Sequence, residues 1–81
     1  MRILLAPAAA EVFAELPEFA KKRAARSIDL LQRHPRMYPV RQRGLMRGYR
    51  YFAAGQHLFY YSLSSQEVRI TAIIPGVMRQ A

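Results

Sequence analysis

The residue with the clearest chemical potential is His57, which falls in a predicted strand with Phe59 and Tyr61 on the same side. Arg50, in the preceding strand, and Arg79, near the end of the chain, are expected to approach this histidine. A base, arginines that stabilise a phosphorane-like transition state, and an acid can cleave RNA without a metal. We favour the competing interpretation, a polar edge to a protein-binding groove, because one histidine among arginines is a weak constellation.

The sequence carries no stronger catalytic or metal-binding pattern. It has no cysteine, no phosphate-binding glycine loop and no nucleophile elbow. His34 and His57 are distant in sequence and no third ligand is apparent, so we expect no metal and no cofactor. The aromatic residues are interpreted as core and cross-strand packing in preference to a base-stacking platform. They are Tyr49, Tyr51, Phe52, Phe59, Tyr60 and Tyr61.

The elements that position His57 are three predicted strands within residues 48–74. Aromatic and β-branched residues dominate this region, and turn residues interrupt it at Ala54-Gly55 and Ser64-Ser65-Gln66. These interruptions are too short for helical crossovers, so an antiparallel meander is expected. Both faces of the sheet look apolar. Strict alternation in the last strand places on one face Val68, Ile70, Ala72 and Ile74.

The N-terminal half predicts one strand and two helices. Residues 2–6 form a short apolar strand, and Pro7 suits the first turn of a helix that continues to Leu16. Pro17 separates this helix from a second one, from Glu18 to about His34. Helical spacing places one row of the second helix on the sheet. That row consists of Leu16, Ala20, Ala24, Ile28 and Leu31.

The expected architecture is therefore an α+β fold with the order β-α-α-β-β-β, its helices on one face of the sheet. The whole chain, residues 1–81, is one domain. The second strand is expected to run antiparallel to the first if the two pair. Two helices can cover only one face of four strands, so we expect a partner chain to cover part of the other. Residues 36–47 would form a basic loop at its rim.

The charge distribution favours a polyanionic partner. From Phe19 to Ala81 there are twelve Lys and Arg but only two acids, Asp29 and Glu67, so this segment carries +10. Such a field attracts nucleic acid or an acidic protein segment. No signal-peptide core and no apolar run of about 20 residues is present, so we expect a cytoplasmic protein without a membrane partner.

The order of these motifs resembles the ParE/RelE superfamily of toxins from bacterial type II toxin–antitoxin systems. The Gly-x-Arg and Gly-x-His-x-x-x-Tyr patterns are most similar to the ParE branch. The resemblance covers most of the chain. It rests on Leu30-Leu31-Gln32-Arg33-His34-Pro35, Gly48-Tyr49-Arg50, Gly55-Gln56-His57-Leu58-Phe59-Tyr60-Tyr61 and Ile73-Ile74-Pro75-Gly76-Val77-Met78-Arg79.

The resemblance implies a toxin that a cognate antitoxin neutralises in a hetero-oligomer. A ParE-like toxin would act on DNA gyrase and block replication. A RelE-like toxin would cut mRNA on the ribosome, with Arg50, His57 and Arg79 as the catalytic residues, and a toxin fold that has lost activity is a third possibility. The residues expected to contact the antitoxin or the target are Arg47, Arg50, His57, Phe59, Tyr61, Arg69, Met78 and Arg79.

Overall fold

The structure, a computed structural model, describes residues 1–76 and has an α+β fold. Two helices and four strands follow one another in the predicted order, and the predicted class is confirmed. The elements are β1 (Arg2–Leu5), α1 (Pro7–Ala14), α2 (Glu18–Arg33), β2 (Arg50–Ala54), β3 (His57–Leu63) and β4 (Glu67–Pro75).

The four strands form one mixed sheet in the spatial order β1-β4-β3-β2. The meander of β2, β3 and β4 is antiparallel as predicted, but β1 pairs with β4 and runs parallel to it. The expected antiparallel relation between β1 and β2 is wrong, because these strands occupy opposite edges and have the same direction. Pairing with β4 sets Ile3 beside Val68 and Leu5 beside Ile70, which joins the apolar side of β1 to the core.

An extra residue in β4 overturns the strict alternation predicted for that strand. Tyr60 lies opposite Ala72, but Tyr61 lies opposite Ile70, so Thr71 forms a β-bulge. The bulge exchanges the two faces of β4. Val68 and Ile70 are buried as expected, whereas beyond the bulge it is Ile73 that enters the core and Ile74 that is exposed.

The core lies between the two helices and one face of the sheet. The predicted helical row is confirmed, since Leu16, Ala20, Ala24 and Leu31 are buried and Ile28 packs at the margin. The two alanines let α2 lie close to the strands, and the larger side chains of the sheet fill the space beneath it. The sheet contributes Phe52, Ala54, Phe59, Tyr61, Val68, Ile70 and Ile73.

Gly55, in the turn between β2 and β3, lies close against α2. Its φ is +63°, and a Cβ added there would lie 2.9 Å from the Cβ of Ala20. We expect Gly55→Ala to lower the free energy of unfolding by about 2–3 kcal/mol through left-handed strain plus overpacking. Urea denaturation measures this loss.

Gly48→Ala is the matched control. Gly48 also has a positive φ, +93°, but nothing lies within 4 Å of an added Cβ. The control should therefore lose only the conformational part, about 1–2 kcal/mol. Equal losses in the two variants would show that Ala20 yields to the added methyl group and that the close approach does not matter.

Candidate functional site

The predicted basic loop is an ordered arm that folds along the edge of β2. The basic arm, residues 36–49, contains four arginines and no acidic residue. Val40 forms a β-bridge with Arg50, the Arg41 amide donates to the Tyr49 carbonyl at 2.7 Å, and the Tyr51 amide donates to that of Pro39 at 3.1 Å. Backbone pairing thus extends the sheet edge and gives the arm a defined course.

The tip of the basic arm presents one apolar side chain between two cations. Gly44 and Gly48 both have positive φ, which permits the tight turns on each side of the tip. Leu45 between them is 97% exposed. Arg43 and Arg47 flank it, and both are exposed. The tip therefore offers a leucine and two guanidinium groups to solvent at the same place.

Arg50 holds the base of the basic arm. Its Nη1 donates to the carbonyl of Tyr38 at 2.7 Å and to that of Arg36 at 3.2 Å. Hydrogen bonds from a charged donor are stronger than neutral ones. The guanidinium group predicted to act on a ligand is instead occupied with backbone carbonyls, so Arg50 positions the arm.

Tyr61 provides a second attachment for the base of the basic arm. Its side chain is fully buried in the core, and its hydroxyl donates to the Pro35 carbonyl at 3.0 Å, where the chain leaves α2. Burial raises the pKa of the Tyr61 hydroxyl above its ordinary value, and the positive charge of Arg50 partly opposes that rise. Tyr61 thus links the core to the start of the basic arm.

Tyr61→Phe should lower the free energy of unfolding by about 0.5–1.5 kcal/mol at neutral pH, through loss of one hydrogen bond. The wild type should also lose stability as the pH rises above about 10, since the unfolded chain then releases the Tyr61 proton more readily than the folded one. Tyr61→Phe should not show the part of this alkaline loss of stability that comes from the Tyr61 hydroxyl. Urea denaturation of both proteins at pH 7 and pH 10.5 checks this; parallel pH dependences would contradict it.

His57 lies at the other end of the hairpin, in a shallow pocket of about 280 Å³. The histidine is half-buried at the start of β3, opposite Ala54 on one side and Pro75 on the other. The pocket walls include Phe19, which is 59% exposed. The complete lining is Pro17, Phe19, Ala20, Gln56 and His57. These residues offer a small apolar recess with one imidazole.

The structure does not bring Arg50 and His57 together. Arg50 is opposite Tyr61 and His57 is opposite Ala54, so the two lie at opposite ends of the β2–β3 ladder. Arg50 and the partner of His57, Ala54, are four positions apart on β2, which corresponds to roughly 13 Å at about 3.3 Å per residue. The expected approach of these two side chains is therefore wrong, and Arg79, the third member of the proposed set, lies outside the described residues.

The outer face of the sheet, opposite the helices, is partly covered by its own aromatic side chains. The rings of Tyr51 and Tyr60 lie 5.7 Å apart, and Tyr60 is only 4% exposed. The Arg41 guanidinium lies 5.8 Å from the centre of the Tyr51 ring, and its Nε donates to the Arg43 carbonyl. Ile74 and Arg69 are exposed on this face. It is therefore a mixed aromatic and cationic surface rather than a bare apolar one.

Apart from Arg50, which donates to carbonyls of the basic arm, the residues predicted to contact a partner fall into three groups. Phe59 and Tyr61 are 0% exposed and belong to the core, so their expected contact with a partner is wrong; Phe59 instead stacks on Phe52, with ring centres 4.8 Å apart. Arg47 and Arg69 are exposed, and His57 is half-buried. Met78 and Arg79 lie outside the described residues.

Sequence reasoning missed the features that give this surface its shape. The sequence prediction of a basic loop did not single out Leu45, although Gly44 and Gly48 on either side of it indicate a defined turn. The contact of Arg41 with Tyr51 and the exposure of Phe19 also went unrecognised. Nothing in the local sequence marks those two, because they depend on the way the arm and α2 pack.

The cations of the basic arm have no carboxylate within 4 Å in the part of the chain that the structure describes. The salt bridge found among residues 1–76 joins Asp29 and Arg33 on α2, at 3.7 Å. No group of three or more acidic or histidine side chains among these residues is arranged to hold a metal ion. No helix among them combines the length and apolarity needed to cross a membrane.

Neither the protein-family models nor the curated proteins contain a match to the chain.

Proposed function

We propose that this chain is the toxin of a type II toxin–antitoxin system, of the ParE type, which inhibits DNA gyrase and is neutralised by a cognate antitoxin. The observation that carries the proposal is the basic arm, a cationic segment held at a sheet edge by Arg50 and Tyr61. These hydrogen bonds hold the segment in one conformation, and a surface that already has its binding conformation loses less entropy when it meets a partner.

The way in which the helices cover one face of the sheet also supports the proposal. The helices shield one face of the sheet, and the resemblance in sequence implies this same order of strands and helices. The outer face keeps Arg69 and Ile74 of β4 in solvent, and Arg41 of the basic arm lies over the Tyr51 ring on the same face. An acidic, amphipathic segment of an antitoxin would match this surface in charge and would cover its exposed apolar groups.

The distance between Arg50 and His57 favours a binding protein over an enzyme. A nuclease needs its base and its charge-stabilising groups around one phosphate, within hydrogen-bond reach. Arg50 lies at the far end of the ladder from His57 and already donates to two carbonyls. Inhibition by occupying a surface of gyrase requires no such convergence.

The second candidate is a RelE-like ribonuclease that cuts mRNA on the ribosome. It rests on His57, which is half-buried in an open pocket beside the exposed ring of Phe19. An imidazole is a common general base in RNA cleavage, and an aromatic ring can stack on a nucleobase. In this candidate His57 and Arg79 remain the catalytic residues, with Arg50 restricted to positioning.

A gyrase supercoiling assay beside a cell-free translation assay separates the two candidates. With purified wild-type protein, the proposal predicts dose-dependent loss of supercoiling while reporter mRNA stays intact. His57→Ala should not abolish that inhibition, because His57 has no catalytic role in this proposal. Cleaved mRNA with normal supercoiling, abolished in His57→Ala and in Arg79→Ala, would establish the ribonuclease instead. A protein that affects neither assay and is harmless when expressed would be an inactive toxin fold.

A further inference from the structure

The tip of the basic arm combines one exposed apolar side chain with two exposed cations. Leu45 is 97% exposed, so its side chain contributes almost nothing to the fold. Exposed Arg43 and Arg47 stand on either side of it. An apolar side chain between two guanidinium groups matches a duplex minor groove, where arginines meet the phosphates and an apolar wedge enters a base step.

We propose that the basic arm binds the minor groove of duplex DNA directly, with Leu45 inserted at a flexible base step and Arg41, Arg43 and Arg47 along the groove. This inference goes beyond the proposed function, because it requires neither gyrase nor an antitoxin. It assigns a second ligand class, A·T-rich B-form DNA, to the arm that the proposed function already gives to a protein partner.

The residue types of the arm fit this ligand. All four cations of residues 36–49 are arginine and none is lysine. Arginine donates in a planar fork to phosphate oxygens and enters the narrow, electronegative minor groove of A·T-rich sequence. The absence of acidic residues from the arm removes the repulsion that a carboxylate would create beside the phosphates.

The arm is also preorganised for insertion. The Arg41 amide donates to the Tyr49 carbonyl and the Gly48 amide donates to the Arg41 carbonyl, so the two sides of the arm are tied just below its tip. The Arg50 and Tyr61 hydrogen bonds secure its base. Because the tip is already held in one form, little conformational entropy is lost on binding.

Leu45 alone suits a base step better than a lipid bilayer. Even a myristoyl chain gives only marginal membrane binding, and one leucine buries far less apolar surface. Neighbouring Met46 is half-buried, so it adds little apolar surface to the tip. One apolar side chain is enough, by contrast, to unstack a single base step.

Fluorescence anisotropy of the full chain on a 20-base-pair A·T-rich duplex, at about 50–200 mM salt, tests the inference. Three phosphate contacts predict a slope of about −2.7 in log K against log salt, or about a 40-fold loss over that range. Arg43→Gln/Arg47→Gln should reduce the slope by about 1.8. Leu45→Ala should keep the slope but weaken binding about tenfold.

A 2-aminopurine placed at a central TA step reports the wedge. Its fluorescence should rise when wild-type protein binds and should not rise with Leu45→Ala. The matched charge control is Arg23→Gln/Arg26→Gln, two exposed arginines of α2, which should leave the slope unchanged. Circular dichroism confirms that each variant is folded.

Several results would overturn the inference. One is an affinity for duplex RNA or single-stranded DNA equal to that for the duplex DNA. Another is a salt slope that the α2 control lowers as much as Arg43→Gln/Arg47→Gln does. The third is an unchanged 2-aminopurine fluorescence at the TA step when the wild-type protein binds. Binding to anionic vesicles without binding to DNA would assign the tip to membranes instead. Because the assay contains no gyrase or antitoxin, its failure leaves the proposed function standing, and gyrase-independent DNA binding would survive failure of that proposal.

Discussion

Phe59→Ala should lower the free energy of unfolding by about 3–5 kcal/mol, the usual range for removing a fully buried phenylalanine. Phe59 is 0% exposed, lies opposite Phe52 and Ile73 on its two neighbouring strands, and stacks on the Phe52 ring. Alanine would leave a cavity at the centre of the sheet, and the Phe52 ring would lose its stacking partner. Small domains have few kcal/mol to lose, so the variant should be largely unfolded at 37 °C.

Thermal denaturation followed by circular dichroism measures this effect. Ile74→Ala is the control, since Ile74 lies on the opposite face of the same sheet and is 37% exposed. It should lose no more than about 1–2 kcal/mol, less than a buried isoleucine would. If Phe59→Ala were as stable as this control, the assignment of Phe59 to the core would be wrong and its earlier nomination as a contact residue would return.

Arg50→Met should lower the free energy of unfolding by about 2–3 kcal/mol and should also release the basic arm from the sheet edge. Methionine retains much of the apolar stem but cannot donate to the Tyr38 and Arg36 carbonyls. Hydrogen bonds from a charged group contribute about 1.5–3 kcal/mol, and the half-buried Tyr38 carbonyl would lose its donor. The arm should then exchange amide hydrogen faster while the core keeps its protection.

Hydrogen exchange at the Arg41 and Gly48 amides, which hydrogen-bond across the arm, measures the release. Arg69→Met removes the same charge from an exposed strand position and should change neither stability nor exchange in the arm. Unchanged protection of these amides in Arg50→Met would mean that backbone pairing alone holds the arm. Arg50 would then return to the set of residues free to contact a ligand.

The parts of the fold that depend on local pattern could be predicted from the sequence. The proline positions placed the ends of α1 and α2, and the helical row from Leu16 to Leu31 indicated which side of α2 meets the sheet. Turn residues at Ala54-Gly55 and Ser64-Ser65-Gln66 separated the three strands of the meander. These signals lie within a few residues of the structure that they specify.

The parts that depend on distant pairing could not be predicted in the same way. The parallel partner of β1 is β4, which follows it only after about sixty residues, and no local signal favours β4 over β2. The bulge at Thr71 depends on how β4 must bend against β3. A shift of one residue reverses every side chain beyond it, so Ala72 and Ile74 were placed on the wrong face.

The charge of the candidate site could be predicted from the sequence, but its geometry could not. The concentration of arginines in residues 36–47 correctly marked a cationic surface. The same sequence gave no indication that Arg50 donates to carbonyls of the arm, or that Tyr61 is buried with its hydroxyl on Pro35. Residue type indicates which chemistry is possible, whereas the hydrogen-bond partners of each group decide which chemistry remains free.

The most direct test of the toxin proposal is to co-express this chain with the product of the adjacent reading frame and to measure gyrase supercoiling with and without that product. The proposal predicts a stable complex with a small protein that has an acidic segment, inhibition of supercoiling by the free chain, and restored supercoiling when the two are mixed. A chain that purifies alone and leaves supercoiling unchanged at stoichiometric excess over gyrase would contradict it.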